Sequence, residues 1–238
     1  MNLLLLAQQA PAAAPSGSSP FALALVFGLL TLVPAVLLLG TSFVKISVVL
    51  GVLRNAFGAP HLPGNLAVMG LSAVLTLHVM APTGRAVWRE AGASLTAVMA
   101  SDPLSPEGLA RLGRAWEAGS PPVKRFLRAN SAARDRSLFV GLARDAGARQ
   151  GSPEAVSEDE LRVLLPAFAL SELARAFVMA FLVLLPFLVV DLVVANVLMA
   201  MGLGGLSPAA TALPFKLLLF VLADGWHLLA RALVLGYR

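Results

Sequence analysis

The sequence predicts an all-α membrane-associated protein, with helical hairpins of kinked or broken apolar helices and a helical polar insertion between them. Of its 238 residues, 58% are hydrophobic and 13% are charged, and the mean hydropathy is +0.82. Soluble domains carry about 25% charged residues, so this composition indicates the membrane class. The charges are also segregated, because residues 85–160 hold 11 of the 18 Lys and Arg and 10 of the 13 Asp and Glu. We therefore expect a solvated segment between two apolar halves.

The charge balance and the absence of cysteine argue against two kinds of site. The chain has a net charge of +5, but the basic and acidic residues of 85–160 nearly balance each other. This balance argues against a nucleic-acid-binding face. The chain has no cysteine, so it has neither a disulfide framework nor a thiolate metal site. Cysteine usage therefore fixes no compartment.

The first apolar half is expected to be a hairpin over residues 21–82. Residues 1–20, rich in Ala, Pro, Ser and Gly, are expected to be a disordered tail, with a degenerate signal as the alternative. Pro34 and the Gly40-Thr41-Ser42 break divide the next apolar run, so we predict helices over 21–39 and 42–56. A further helix is predicted over 66–80, before Ala81-Pro82, with Asn65 as its N-cap.

Residues 83–160 are expected to form a polar segment of several short amphipathic helices. Helix formers fill 86–99 and 106–117, and Ser120-Pro121-Pro122 indicates a break or a new start. The next helix is predicted to be capped by Ser157, with Glu160 at the capping-box position.

The second apolar half, 161–238, is expected to be another hairpin with a Gly-rich hinge at 202–208. Pro166 and Pro186 predict a bend or break in its first helix. Glu172 and Arg175, three positions apart, can meet on one helix face, as a seam between helices or merely as a local charge pair.

The other ionisable residues of the apolar halves need partners from elsewhere in the fold, because a charge in a bilayer is costly. Asp191 has no basic residue within four positions, and Lys216 is its candidate partner. Asp224 can serve Lys216 of another subunit or pair with Arg231, and Lys45 either reaches an interface or lies in a wet interior. The predicted contacts between helices or subunits involve Lys45, Glu172, Arg175, Asp191, Lys216 and Asp224.

No catalytic, cofactor-binding or metal-binding residue is predicted, and we expect a non-enzymatic protein. Asp224 and His227 flank a Gly-Trp pair, but no third group completes a catalytic set. His78 is expected to be a hydrogen-bonded packing residue.

Several ordered blocks between Phe21 and Leu229 resemble the FliP/SctR family, with polar residues at unusual places in apolar runs. The blocks are Thr41-Ser42-Phe43-Val44-Lys45-Ile46, Pro63-Gly64-Asn65, Leu75-Thr76-Leu77-His78, Leu164-Leu165-Pro166-Ala167-Phe168, Ser171-Glu172-Leu173, Leu185-Pro186-Phe187, Val190-Asp191-Leu192, Leu213-Pro214-Phe215-Lys216-Leu217 and Asp224-Gly225-Trp226.

The resemblance implies a core subunit of the type III secretion export gate, in injectisomes or flagella. Five copies would form a ring with smaller SctS-like and SctT-like subunits and a SctU-like switch subunit, in contact with lipid. Unfolded secreted proteins would pass through the centre. The assembly would lie in the bacterial inner membrane and project to the periplasmic side, with the polar segment extracytoplasmic. Interrupted apolar runs are tolerable there because they pack against protein or line a cavity.

The hinge departs from the family pattern. Family members carry a run of methionines before the hinge proline as a flexible seal, whereas this chain has Leu203-Gly204-Gly205-Leu206. The resemblance therefore implies a pore constriction built from Met199, Met201, Leu203 and Leu206. The weak N-terminal signal favours the injectisome branch.

A second class also fits the residues, namely a small secondary transporter. Pro34 and Pro186 interrupt apolar runs in the two halves, a pattern typical of broken helices around a midplane site. Asp191 and Lys216 would then form a coupling-ion site.

Overall fold

The computed structural model describes residues 38–58, 64–99, 105–149 and 155–237, together with Gly28, Thr31 and Gly151. Within these residues the chain forms seven α-helices and no β-strand, which confirms the all-α class. The helices are α1 (Phe43–Ala56), α2 (Asn65–Met99), α3 (Pro106–Asn130), α4 (Ala133–Arg149), α5 (Leu161–Ala200), α6 (Pro208–Leu222) and α7 (Gly225–Leu235). The expected tail at 1–20, most of the expected helix at 21–39 and Pro34 lie outside the described residues.

Two helices are long and apolar enough to cross a membrane. They comprise Asn65–Val98 of α2 and Leu161–Ala200, which is the whole of α5. A third span is possible if α6 and α7, which are bent by 62° relative to each other, cross as one unit.

Three helices continue through prolines where the sequence predicted an end, a bend or a break. These prolines are Pro82 in α2, Pro121 and Pro122 in α3, and Pro166 and Pro186 in α5. The predictions that one helix ends at residue 80 and that another breaks at 120–122 are therefore wrong, and of the bend or break predicted for α5 the break is wrong. A proline inside a helix costs about 3 kcal/mol. Each of these helices packs against at least two others, and such packing overrides local propensity.

α5 is the helix against which most of the protein packs. α1, α3, α4 and α6 all contact it, while α7 packs on α6 and α2. Near its start, Leu164 and Phe168 pack on Phe126 and Leu127 of α3. Further along, a larger apolar cluster joins α5 to α1, α2, α6 and α7. Residues 171–175 therefore lie on α5 between two apolar cores.

The bend between α6 and α7 is fixed by packing and by backbone conformation. Asp224 precedes α7 in the left-handed region with φ of 50°, which Asp tolerates better than most residues. The next residue, Gly225, is buried, and a Cβ placed there would overlap the ring of Phe220. Phe220 in turn packs edge-on against Phe57 and Trp226.

Ser157 does not cap α5 as predicted, because the N-cap residue is Glu160 and its side chain makes no capping bond, but one bond of the predicted capping box forms in the turn before the helix. The backbone N–H of Ser157 donates to Glu160 Oε1 at 2.7 Å, whereas the Ser157 hydroxyl accepts from Asp159. The hydrogen bond from the Ser157 N–H holds the pKa of Glu160 below its usual range, and the nearby Arg162 makes a smaller contribution in the same direction.

Candidate functional site: buried ion pairs between helices

Glu172 is the centre of the larger polar cluster. Its side chain is a carboxylate on an apolar helix, yet it is 0% exposed. Its Oε2 atom is 3.1 Å from Lys45 Nζ on α1, and its Oε1 atom accepts from Arg175 Nη1 at 2.8 Å. Lys45 is 1% exposed and Arg175 is 41% exposed. One buried carboxylate thus joins two cations, of which only Arg175 reaches the surface.

The residues after α7 complete this cluster. The Tyr237 hydroxyl donates to Glu172 Oε2 and lies 3.3 Å from the carbonyl oxygen of Ser42. The Lys45 ammonium lies 3.4 Å from the centroid of the Tyr237 ring, a cation–π contact, and 3.5 Å from the carbonyl oxygen of Gly236. Three separate segments of the chain therefore meet at Glu172.

The same stretch of α5 holds the turn between α3 and α4. Arg175 Nη1 donates to the carbonyl oxygen of Asn130 at 2.8 Å. The Ser171 hydroxyl donates to Asp135 Oδ2 at 2.5 Å and accepts from the Ala132 N–H at 2.9 Å. The side chains of Ser171 and Asp135 are both buried. The polar helices are thus fixed to the apolar helix by hydrogen bonds as well as by packing.

A second ion pair joins α5 to α6. Lys216 Nζ is 2.7 Å from Asp191 Oδ2 and donates to the carbonyl oxygen of Ala56 at 2.8 Å. Ala56 is the last residue of α1, where carbonyl groups lack helical partners and a cation is favourable. Lys216 is buried, whereas the Asp191 side chain is 36% exposed and its Oδ1 has no hydrogen-bond partner among the described residues.

Asp224 lies apart from both clusters. It is exposed at the bend before α7, and its side chain makes no capping hydrogen bond there. Within the described part of the chain, its carboxylate forms no ion pair with Lys216 or Arg231.

The four residues suggested for a pore constriction cluster at the end of α5 and in the loop that follows it. The exposed side chains are those of Met199, Met201, Leu203 and Leu206. Gly202 has φ of 73°, a left-handed conformation that suits glycine and turns the chain toward α6.

These clusters are built to hold helices in place. Removing one partner of a buried ion pair leaves an uncompensated charge and destabilises a protein by about 3–5 kcal/mol. Each pair also fixes one register between two helices. In the part of the chain that the structure describes, no three carboxylate or imidazole groups come together as a metal site.

Reasoning from the sequence did not single out Tyr237, Asp135, Ser171 or Asn130 as functional residues. Tyr237 offered one signal, since it is the only tyrosine in the chain. Asp135 and Asn130 are hidden in a segment rich in solvated charges, where burial of one carboxylate leaves no local pattern.

The fold and the buried pairs define an all-helical protein of the membrane-spanning class, whose helices are joined through charged side chains. Comparison with known proteins then identifies the family. The model described as the FliP family matches residues 26–233, so the chain belongs to the FliP family, as its sequence blocks suggested.

Three relatives are similar over most of the chain. The Yop proteins translocation protein R of Yersinia pestis is 43% identical over 218 residues, covering 90% of this chain and 95% of the relative. The flagellar biosynthetic protein FliP of Caulobacter vibrioides is 44% identical, with coverages of 88% and 73%. FliP of Bacillus subtilis is 36% identical, with coverages of 92% and 93%.

Proposed function

We propose that this chain is a core subunit of the type III secretion export gate. Its membership of the FliP family, and relatives named for Yop translocation and flagellar biosynthesis, support a role as a component of the export apparatus. We further propose that five copies form a ring with SctS-like, SctT-like and SctU-like partners. The ring is the inner-membrane channel for unfolded proteins, and it projects to the periplasmic side.

The observation that carries this proposal is the length of the exposed apolar surface of α5. Large apolar side chains remain exposed from Leu170 to Met199. These residues span about 44 Å of helix axis at 1.5 Å per residue. The hydrocarbon core is only about 30 Å thick. A tilt of about 47° would be needed to immerse the whole surface, beyond the usual range of up to 40°. Contact with other protein subunits covers the remainder.

The charged residues fit such an assembly because the chain satisfies most of them internally. Lys45, Glu172 and Lys216 are buried in contacts within one subunit. The groups left for neighbouring subunits are the exposed part of the Asp191 side chain, the exposed part of the Arg175 side chain and the exposed Asp224, whereas Asp191 Oδ1 is itself buried. We assign these three groups to contacts that set the register between subunits.

The pore constriction is assigned to Met199, Met201, Leu203 and Leu206. Their exposure at the end of α5 and in the loop that follows leaves apolar side chains available to close around a central passage. A Cβ added to Gly204 or Gly205 would meet nothing, so the loop has free space around it. Methionine is flexible and adapts to irregular gaps, so Met199 and Met201 supply the deformable part of the seal.

The transporter alternative receives less support. It required helix breaks at Pro34 and Pro186, but α5 is continuous at Pro186, and Pro34 lies outside the described residues. Lys216 is also held by the carbonyl oxygen of Ala56 as well as by Asp191, which suits a fixed structural contact.

The mass of the complex extracted in mild detergent tests the proposal. We expect a pentamer of this chain, alone or with small helical partners, by native mass spectrometry. Phe181→Lys on the exposed face of α5 should yield monomers, because a charge there disrupts an apolar contact. Leu142→Lys on α4, where an apolar side chain is equally exposed, should leave the pentamer intact. A native chain that remains a folded monomer would refute the proposal.

A further inference from the structure

Tyr237 lies between a wide groove and the buried Lys45–Glu172 ion pair. The groove has a volume of about 610 Å³ and lies between α2, α3 and the residues at the end of α7. Arg89 and Arg125 line it beside apolar residues, with Arg125 paired to Glu90, and Tyr237 is also one of its lining residues. Tyr237 therefore contacts the groove on one side and the ion pair on the other.

The contacts of Tyr237 divide between its ring and its hydroxyl. The ring lies 3.4 Å from the Lys45 ammonium and stacks on Phe126, with centroids 6.0 Å apart and planes 18° apart. The hydroxyl donates to Glu172 Oε2, the same oxygen that is paired with Lys45. Lys45 is 1% exposed and Glu172 is 0% exposed, although the groove lies just beyond the ring.

Water in contact with this pair would weaken it, because the attraction between two charges falls as the local dielectric constant rises. A ring that excludes water therefore strengthens the attraction between Lys45 and Glu172, although the ring itself carries no net charge. The hydroxyl acts differently, since it fixes the position of one carboxylate oxygen.

We propose that Tyr237 is a positioning residue and a lid over the buried ion pair. Its ring keeps groove water away from Lys45, and its hydroxyl holds Glu172 between the two cations. The proposal concerns a single folded chain and does not depend on the pentameric ring.

The lysine content of the chain allows a direct test by covalent labelling. The chain has only three lysines, Lys45, Lys124 and Lys216. Sulfosuccinimidyl acetate is water-soluble, and it acetylates an unprotonated amine with release of N-hydroxysulfosuccinimide. Lys124, which is half-buried on α3, serves as the reactive reference, and the buried Lys216 serves as the protected reference.

The full chain is labelled in detergent, and acetylation of each lysine is followed by mass spectrometry of chymotryptic peptides. In the native chain, Lys45 should react as slowly as Lys216. In Tyr237→Ala, Lys45 should react at least about tenfold faster, because local opening exposes it, while Lys216 remains protected. Tyr237→Phe keeps the ring, so Lys45 should stay protected, while loss of the hydroxyl lowers the thermal midpoint.

Trp116→Ala is the matched control, because it removes an exposed aromatic side chain of α3 and should leave Lys45 protected. Three results would each overturn the proposal. They are unchanged labelling of Lys45 in Tyr237→Ala, equal acceleration at Lys45 and Lys216, and equal acceleration in Tyr237→Phe and Tyr237→Ala.

Discussion

Replacing Lys216 with Met removes one charge of a buried pair while keeping an unbranched side chain of similar length. Breaking such a pair costs about 3–5 kcal/mol. Asp191 is 36% exposed and regains some hydration, so we expect the lower end of that range. The carbonyl oxygen of Ala56 also loses its donor. A loss of about 3 kcal/mol lowers the folded-to-unfolded ratio by roughly a hundredfold. For a chain of this size it lowers the thermal midpoint by about 6–12 °C.

Tryptophan fluorescence during heating of the detergent-solubilised chain measures this loss. Arg128→Met is the control, because Arg128 and Asp159 form an ion pair in which both side chains are at least half exposed. Such pairs contribute about 0.2–1 kcal/mol. The double variant Lys216→Met/Asp191→Asn should recover part of the loss, since it leaves no unpaired carboxylate. The reasoning is refuted if Lys216→Met shifts the midpoint no more than Arg128→Met does.

Two further predictions concern the bend before α7 and the start of α5. Gly225→Ala should cost about 1–3 kcal/mol because its Cβ overlaps Phe220. By contrast, Gly141→Ala, in open space on α4, should stabilise by about 0.5–1 kcal/mol; equal thermal midpoints for the two variants would contradict this. The lowered pKa of Glu160 means that its contribution is present above the unfolded pKa of about 4.3 and is lost as the pH falls through the folded pKa. Glu160→Gln should therefore flatten the acid side of a plot of thermal midpoint against pH, and an unchanged slope would contradict the assignment to the bond from Ser157.

Contacts between residues close together on one helix could be predicted from their spacing in the sequence. Glu172 and Arg175 are three residues apart on one helix, and their side chains lie in contact. The pairing of Asp191 with Lys216 followed from elimination, since a charge on an apolar helix needs a partner and few were available. Their atoms are 2.7 Å apart.

The remaining contacts could not be predicted because they depend on how distant segments pack. Lys45 and Glu172 lie in opposite apolar halves, so no spacing rule relates them. Helix ends were predicted wrongly at prolines. Local propensity predicts a break at Pro82 and at Pro186, but both helices continue there because tertiary packing outweighs it. The all-α class itself followed from composition and the segregation of charge.

The position of Tyr237 in the chain has a consequence for the order of synthesis. Ribosomes add residues from the N-terminus, so Glu172 is made 65 residues before the tyrosine that binds it. A nascent chain therefore carries Lys45 and Glu172 without their aromatic cover until translation has passed α7. Lys45 and Glu172 can already pair at that stage, so the aromatic cover is added to an ion pair that has formed without it.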